Sequence, residues 1–423
     1  MSQSQKGVVM ERRVVITGMG IVSPIGIGLE NFWNAIKTEQ CGIGTITRFD
    51  ASLLPCRVAG EVKNYNGENY FDRRFLQRTA IFSQFAVIAG REAWRDAGLD
   101  RFSFDDPNRC GVLLGNGVGG LEVDDESHHK LYDKGVSKIP AMTIPKMISN
   151  EAAGNLSMDL GIRGSAHVVV TACASGGDAI GFALDRIRCN RADVMLAGGT
   201  ESAITEYGIG GFCQIKTLST GFNDMPQRAS RPFDKDRDGF VMGEGAGILV
   251  LEELEHAQRR GARIYAELAG YGATADAYHL TAPHPEGEGG ARALRLALGD
   301  AGLQPEDIDY INAHGTSTPT NDPIETRSVK SVFNRHAYKL AISSTKSMIG
   351  HTLGAAGGIE TIITALAVHD NFFPATLNLE IPDPECDLDY VPNKGRQGEI
   401  HAALSISLGF GGHNCAIAIK KFS

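Results

Sequence analysis

A chain of 423 residues, 42% hydrophobic and 22% charged, is long and apolar enough to bury a sizeable core, which excludes a disordered or fibrous protein. A formal charge of −9 leaves no basic excess to neutralise phosphates, so nucleic acid is excluded as a general partner. No apolar run reaches the roughly 18 residues a bilayer span requires. No signal peptide is evident at "MSQSQKGVVMERRVVITGMG", and the eight cysteines are scattered without a CxxC pair, so the expected setting is reducing cytoplasm, away from membranes.

After a polar start, "RRVVITGMG" predicts a buried strand ending in a glycine turn. "RTAIFSQFAVIAGREAWRDAGL" has helical period and stops at Gly98; "RCGVLLGNGVGG" is strand, then glycine loop. The polar segment from Glu122 to Asn150 breaks this rhythm and predicts an inserted cap. "HVVVTACASGGDAIGFALDRIR" and "ADVMLAGGTES" then give strand, helix and strand. A second series follows "HAQRRGARIYAELAGYG": the helix "GGARALRLALGDAGL", the strand "IDYINAHGT", then "LAISSTKSMIGHTLGAAGGIETIITALAVHD" and a closing hairpin, "AALSISLGFGGHNCAIAIKKF". Such alternation predicts an α/β protein of mostly parallel sheets covered on both faces. In both series a strand runs into a reactive loop and then an Ala/Gly-rich helix, with Cys173 in the first and His351 in the second. Two related halves are therefore expected, residues 12–260 and 261–423.

Two motifs invite other readings. "GNGVGG" at Gly115 to Gly120 fits the dinucleotide-binding pattern, but the acidic "LEVDDESHHK" that follows would repel a pyrophosphate. "DKDRDGFVMGEG" begins like an EF-hand loop with Asp234, Asp236, Asp238 and Gly239, yet its twelfth position is Gly245, with Glu244 one place early.

Cys173 stands between the β-branched "VVV" and a glycine-rich helix start. A lone cysteine there is commonly an inert small hydrophobe. At a strand-to-helix turn, however, the helix dipole and free N–H groups lower a thiol pKa and supply an oxyanion site. "NAHGTSTPTND" places His314 after a strand, with Asp322 and Glu325 beyond it; "STKSMIGHTLGAAGG" places Lys346 and His351 before a helix. One cysteine, two histidines and a lysine in comparable loops suit acyl transfer with stabilisation of developing negative charge. Zinc is the other use of such a set, opposed by the nearby lysine and by the lack of a second cysteine at ligand spacing.

With "TACASGG", "NAHGTSTPTND", "TKSMIGHTLGAAGG", "SRPFDKDRDGFVMGEGAG" and "GFGGHN", the chain from about Arg13 to Phe422 resembles the condensing β-ketoacyl-(acyl carrier protein) synthases of thiolase fold, the synthase II branch most closely. The resemblance implies a five-layered α-β-α-β-α fold of two pseudo-symmetric halves, a homodimer, and decarboxylative condensation of an acyl thioester with malonyl carrier protein in fatty acid elongation, with no cofactor and no metal. It makes Cys173 the nucleophile, and His314 and His351 the donors to the enolate. Lys346 would balance charge, with Asp322, Glu325 and Glu360 supporting. Phe410 would gate the cysteine and share the oxyanion hole with it. Thr316 and Thr318 would bond the phosphopantetheine arm, Val118 and Phe212 would line the acyl tunnel, and Arg74, Arg78 and Lys216 would face the acidic carrier protein.

The family's "SNSFGFGG" is "SISLGFGG" here: Ile406 replaces an asparagine that in relatives helps hold a monovalent cation, and Leu408 replaces phenylalanine. Phe75 and Thr79 stand where some relatives carry lysine. Within the fold, a non-catalytic chain-length factor would lack Cys173, and a thiolase would use a second cysteine. A ketosynthase of a specialised polyketide-type pathway needs the same residues as this chain.

Overall fold

The structure, a computed structural model, describes residues 12–101 and 106–422. The polar start and Ser423 lie outside the described residues. Strand β1 (Val14–Ser23) is buried along its whole length, as a strand with helices on both faces must be. Helix α1 (Ile81–Asp96), strand β2 (Cys110–Gly115), helices α2 (Leu121–Lys134) and α3 (Glu151–Leu160), strand β3 (Ala166–Val169), helix α4 (Ser175–Arg188) and strands β4 (Val194–Glu201) and β5 (Gly245–Glu253) complete the first series. The second comprises β6 (Ala266–Ala275), α5 (Glu288–Ala301), β7 (Tyr310–Asn312), α6 (Asn321–Phe333), β8 (Ala341–Ser343), α7 (Ala356–Asp370), β9 (Ala402–Gly409) and β10 (His413–Lys420).

The strands run β1-β5-β4-β2-β3 in the first half and β6-β10-β9-β7-β8 in the second. In each, the first two pairings are antiparallel and the last two parallel, so the same topology is built twice. The halves join where Val14, Val15 and Ile16 of β1 pair with β6. Helix α1 packs on β1 and β5, and α5 on β6 and β10, while α4 and α7 lie between the halves and touch strands of both. The result is the helix-sheet-helix-sheet-helix layering of a thiolase-like fold.

The expected predominance of parallel pairing holds only in the outer part of each half. A tight hairpin joins β9 to β10, and residues 202–244 run from β4 to β5 through a cap with its own apolar cluster. Neither link is a covering crossover helix, so nothing requires parallel neighbours there. The segment from Glu122 to Asn150 is also more regular than its polarity suggests, forming α2 and a short helix, Thr143–Met147. Glu122 and Asp124 in the first turn of α2 complement its dipole.

The central helices meet backbone to backbone: a Cβ on Gly357 would stand 2.2 Å from the Gly177 nitrogen. Each is preceded by a turn opened by a left-handed residue, Ala172 at φ 51° and Leu353 at φ 49°, followed by the single 3₁₀ turns Ala172–Ala174 and Leu353–Ala355. "TACASGG" and "TLGAAGG" are thus equivalent elbows, and the counterpart of Cys173 is Gly354. His351 lies three residues before that position.

Candidate active site

The first elbow delivers Cys173 to the floor of a cavity of about 530 Å³. His314 reaches the same cavity from the loop after β7, His351 from the loop before the second elbow, and Phe410 from the β9–β10 turn. His351 Nε2 lies 3.0 Å from Cys173 Sγ, and the two imidazole rings stand edge to face with centroids 5.1 Å apart. His351 Nδ1 accepts the Leu353 N–H at 3.3 Å, so the proton of the neutral ring sits on Nε2, directed at the sulfur. Burial and the nearby Lys346 charge hold His351 well below the usual histidine range, and His314 likewise, with a further contribution from His351. Both rings are neutral at pH 7 and can donate without carrying charge.

The thiol departs from the sequence expectation of an activated, low pKa. Burial pushes Cys173 up to about 11, although the Lys346 charge and the Phe410 N–H pull it down. Lys346 itself does not line the cavity; it lies buried beneath and pairs with Glu360, whose carboxyl burial raises to about 7. Glu325 accepts the His314 and Gly315 amides at 2.7 and 2.8 Å, fixing the histidine loop. Asp322 accepts the Phe233 amide at 2.8 Å and faces Arg237 at 3.6 Å, tying that loop to "RPFDKDRDG".

Thr316 and Thr318 line the cavity with hydroxyls 2.9 Å apart. Val118, Phe212 and Lys216 also form its wall, the Phe212 ring 6.4 Å from that of Phe410. Arg74 and Arg78 are exposed on the short helix Arg73–Arg78 and contribute nothing to the cavity. Ile406 is buried in the apolar core of the second half, whereas Leu408 lines the cavity. The turn bearing Phe410 is fastened by the Gly411 amide to Leu280 O at 2.7 Å, and by Asn414 Nδ2 to Asp276 Oδ1 at 2.7 Å.

Neither decoy motif is a ligand loop. "GNGVGG" does lie between a strand and a helix, but its amides are taken. The Glu201 carboxylate accepts from Gly117 N at 2.7 Å, Gly354 N at 3.1 Å and Asn116 Nδ2 at 3.0 Å. Glu201 was not among the expected functional residues; its only signal was a charge closing the apolar strand "VMLAGGTE". The calcium-like carboxylates diverge: Asp234 to Arg231, Asp238 to the Thr220 and Gly221 amides, and Glu244 to Arg48 and Ser202.

Cys173, His314 and His351 place one donor atom each within 4.8 Å of one another, the start of a zinc set. Among the described residues no fourth Cys, His, Asp or Glu joins them, and the Lys346 ammonium opposes a second cation there.

The β-ketoacyl synthase N-terminal domain family matches residues 11–257, and the β-ketoacyl synthase C-terminal domain family residues 265–380. The chain is 51% identical over 414 residues to a 3-oxoacyl-(acyl-carrier-protein) synthase 2 of Synechocystis sp., covering 97% of this chain and 99% of that one. Among solved structures, the ishigamide ketosynthase/chain length factor matches with a TM-score of 0.91 at 34% identity, over 98% of this chain and 100% of that one. A type II PKS acyl-carrier protein in complex with its ketosynthase bound to the hexaketide matches at 0.90 and 36% identity, again over 98% and 100%.

Proposed function

The chain belongs to the β-ketoacyl synthase family, and from that premise we infer how its residues divide the labour of a 3-oxoacyl-(acyl carrier protein) synthase. It is an acyl-transferring condensing enzyme of fatty acid elongation and acts on acyl and malonyl groups borne by acyl carrier protein. The observation that carries the assignment of roles is the 3.0 Å approach of a neutral, Nε2-protonated His351 to Cys173, with His314 alongside.

Cys173 attacks the acyl thioester carbonyl as thiolate, its own N–H and that of Phe410 stabilise the oxyanion, and the carrier sulfur leaves and takes up the proton that Cys173 gave up, as free carrier thiol. The acyl chain lies beside Val118 and Phe212. Malonyl carrier protein then enters with its phosphopantetheine arm along Thr316 and Thr318. As the C–C bond to the carboxylate breaks and CO₂ departs, the electron pair becomes an enolate whose oxygen receives the N–H groups of His314 and His351. The carbanion attacks the acyl-Cys173 carbonyl, and Cys173 leaves as thiolate. Lys346 keeps positive charge near that sulfur, and Asp322, Glu325 and Glu360 hold the loops and the lysine in place. Arg74, Arg78 and Lys216 are our candidates for the carrier-protein face.

The relatives support this pathway: the 3-oxoacyl-(acyl-carrier-protein) synthase 2 of Synechocystis sp. is 51% identical, the ishigamide ketosynthase/chain length factor 34% and the type II PKS ketosynthase 36%. The homodimer has a ready seat, because among the described residues β3 pairs only with β2, and Val170 and Phe182 beside it are 58% and 43% exposed. No described helix is long and apolar enough to cross a bilayer, and we place the enzyme in the cytoplasm, with the boundary between its halves at residues 260 and 261. The test is intact-protein mass after mixing with acyl carrier protein thioesters, then malonyl carrier protein. An acyl adduct on Cys173, discharged as a chain two carbons longer, is expected. No adduct from any straight chain would remove the fatty acid reading.

A further inference from the structure

Behind the nucleophile elbow lies a buried carboxylate that the mechanism above does not use. Asp178 is 5% exposed and sits in the first turn of α4. Its Oδ2 accepts from Thr171 Oγ1 at 2.5 Å, and its Oδ1 from the Tyr271 hydroxyl at 2.7 Å. Thr171 is the residue immediately before the left-handed Ala172, so this bond grips the elbow where the chain turns toward Cys173. Ser175 closes the same turn, accepting from Thr171 N at 2.9 Å and donating to Ala172 O at 2.6 Å.

Tyr271 comes from the other half of the molecule, on β6. Burial and the neighbouring Asp178 carboxylate push the Cys415 thiol of β10 well above its usual range, so Cys415 also stands beside that carboxylate. The fit of these two groups requires glycines on α4: a Cβ on Gly181 would fall 2.3 Å from the Tyr271 ring, and one on Gly177 2.6 Å from Cys415 Sγ. Across the hairpin Cys415 faces Ser407, and the hairpin ends in Gly409 and Phe410. Gly409 lies directly on the elbow, where a Cβ would stand 2.9 Å from Thr171 O and 3.2 Å from Cys173 N. The two backbone donors of the oxyanion hole therefore come from different halves, and Asp178 accepts one hydrogen bond from each half, from Thr171 and from Tyr271.

We propose that Asp178, held by Tyr271, is a positioning residue: it locks the Thr171–Cys173 elbow against β6 and β10, so that the Cys173 and Phe410 N–H groups converge on one oxygen. The proposal rests on the acyl-transfer reading above, and it separates the half-reactions. Acyl transfer needs donors from both halves in register, whereas malonyl decarboxylation draws on His314 and His351, both from the second half.

Tyr271→Phe keeps the ring in the space that Gly181 leaves and removes only the hydroxyl; Asp178→Asn is the companion variant. In the full-length enzyme, single-turnover acylation of Cys173 is followed by intact mass, and CO₂ release from malonyl carrier protein is measured separately. Expected is about a tenfold slower acylation in Tyr271→Phe, with CO₂ release within about twofold of wild type. An equal loss in both half-reactions, or unchanged acylation, overturns the positioning role. Should Asp178→Asn not fold, Tyr271→Phe decides. A wild-type enzyme that forms no acyl adduct would instead overturn the acyl-transfer reading, and the positioning role with it.

Discussion

The proton on His351 Nε2 decides what that histidine can do. Because Nδ1 is occupied by the Leu353 amide, the neutral ring is a donor toward the sulfur and toward any carbonyl placed there, not a base waiting for the thiol proton. Thiolate formation then depends on the Phe410 N–H and on Lys346, working against the burial that pushes Cys173 up to about 11. Lys346→Met should therefore slow iodoacetamide alkylation of Cys173 at pH 8 by about tenfold, the effect of roughly one further unit in the thiol pKa. An unchanged rate would show that the lysine does not act on the thiolate. That Cys173, His314 and His351 would share one site, with Lys346 near it, was legible in the sequence because each stands in a loop at a strand or helix end. The direction of the thiol shift was not legible, since it depends on walls contributed by distant segments such as Phe240 and Leu353.

Among the elements, the two elbows and their helices matter most. A Cβ on Gly357 would meet the Gly177 backbone nitrogen, which cannot move without unseating the elbow of Cys173. Gly357→Ala should cost about 1–3 kcal/mol, read as a lower midpoint in urea unfolding. The glycine loop before α2 is held by Glu201, which burial raises to about 7 even though several amides bond it. Between pH 4.5 and 7 the folded protein keeps a proton on Glu201 that the unfolded chain releases, so stability falls as pH rises through that window, by up to about 3 kcal/mol for one such group. Glu201→Gln should make the decline shallower when unfolding is compared at pH 5 and pH 7.5; an identical slope would place Glu201 outside the titration. Sequence alone gave this residue little weight, since a single charge at the end of an apolar strand has no partners until the glycine loop and the second elbow fold onto it.

For the molecule as a whole, the fold is one topology used twice, with the reactive residues at the junction. The open edge of β3 is the seat we propose for the dimer. Val170→Asp, beside that edge, should shift the dimer toward monomer in sedimentation velocity, since a buried unpaired carboxylate at an interface is strongly unfavourable. A variant that stays fully dimeric would move the interface elsewhere. By itself the amino-acid sequence determined the alternation of strands and helices, the repeated layout and the loops that carry the chemistry, because period, glycine placement and residue type are local properties. The mixed pairing of each sheet and the matching of Cys173 with Gly354 rather than His351 were decided only in the folded chain. So were the occupation of the glycine loop by Glu201 and the bond from Asp178 across the two halves. Each of these depends on segments many residues apart meeting in a dry interior, where burial and backbone contact outweigh what any short stretch prefers.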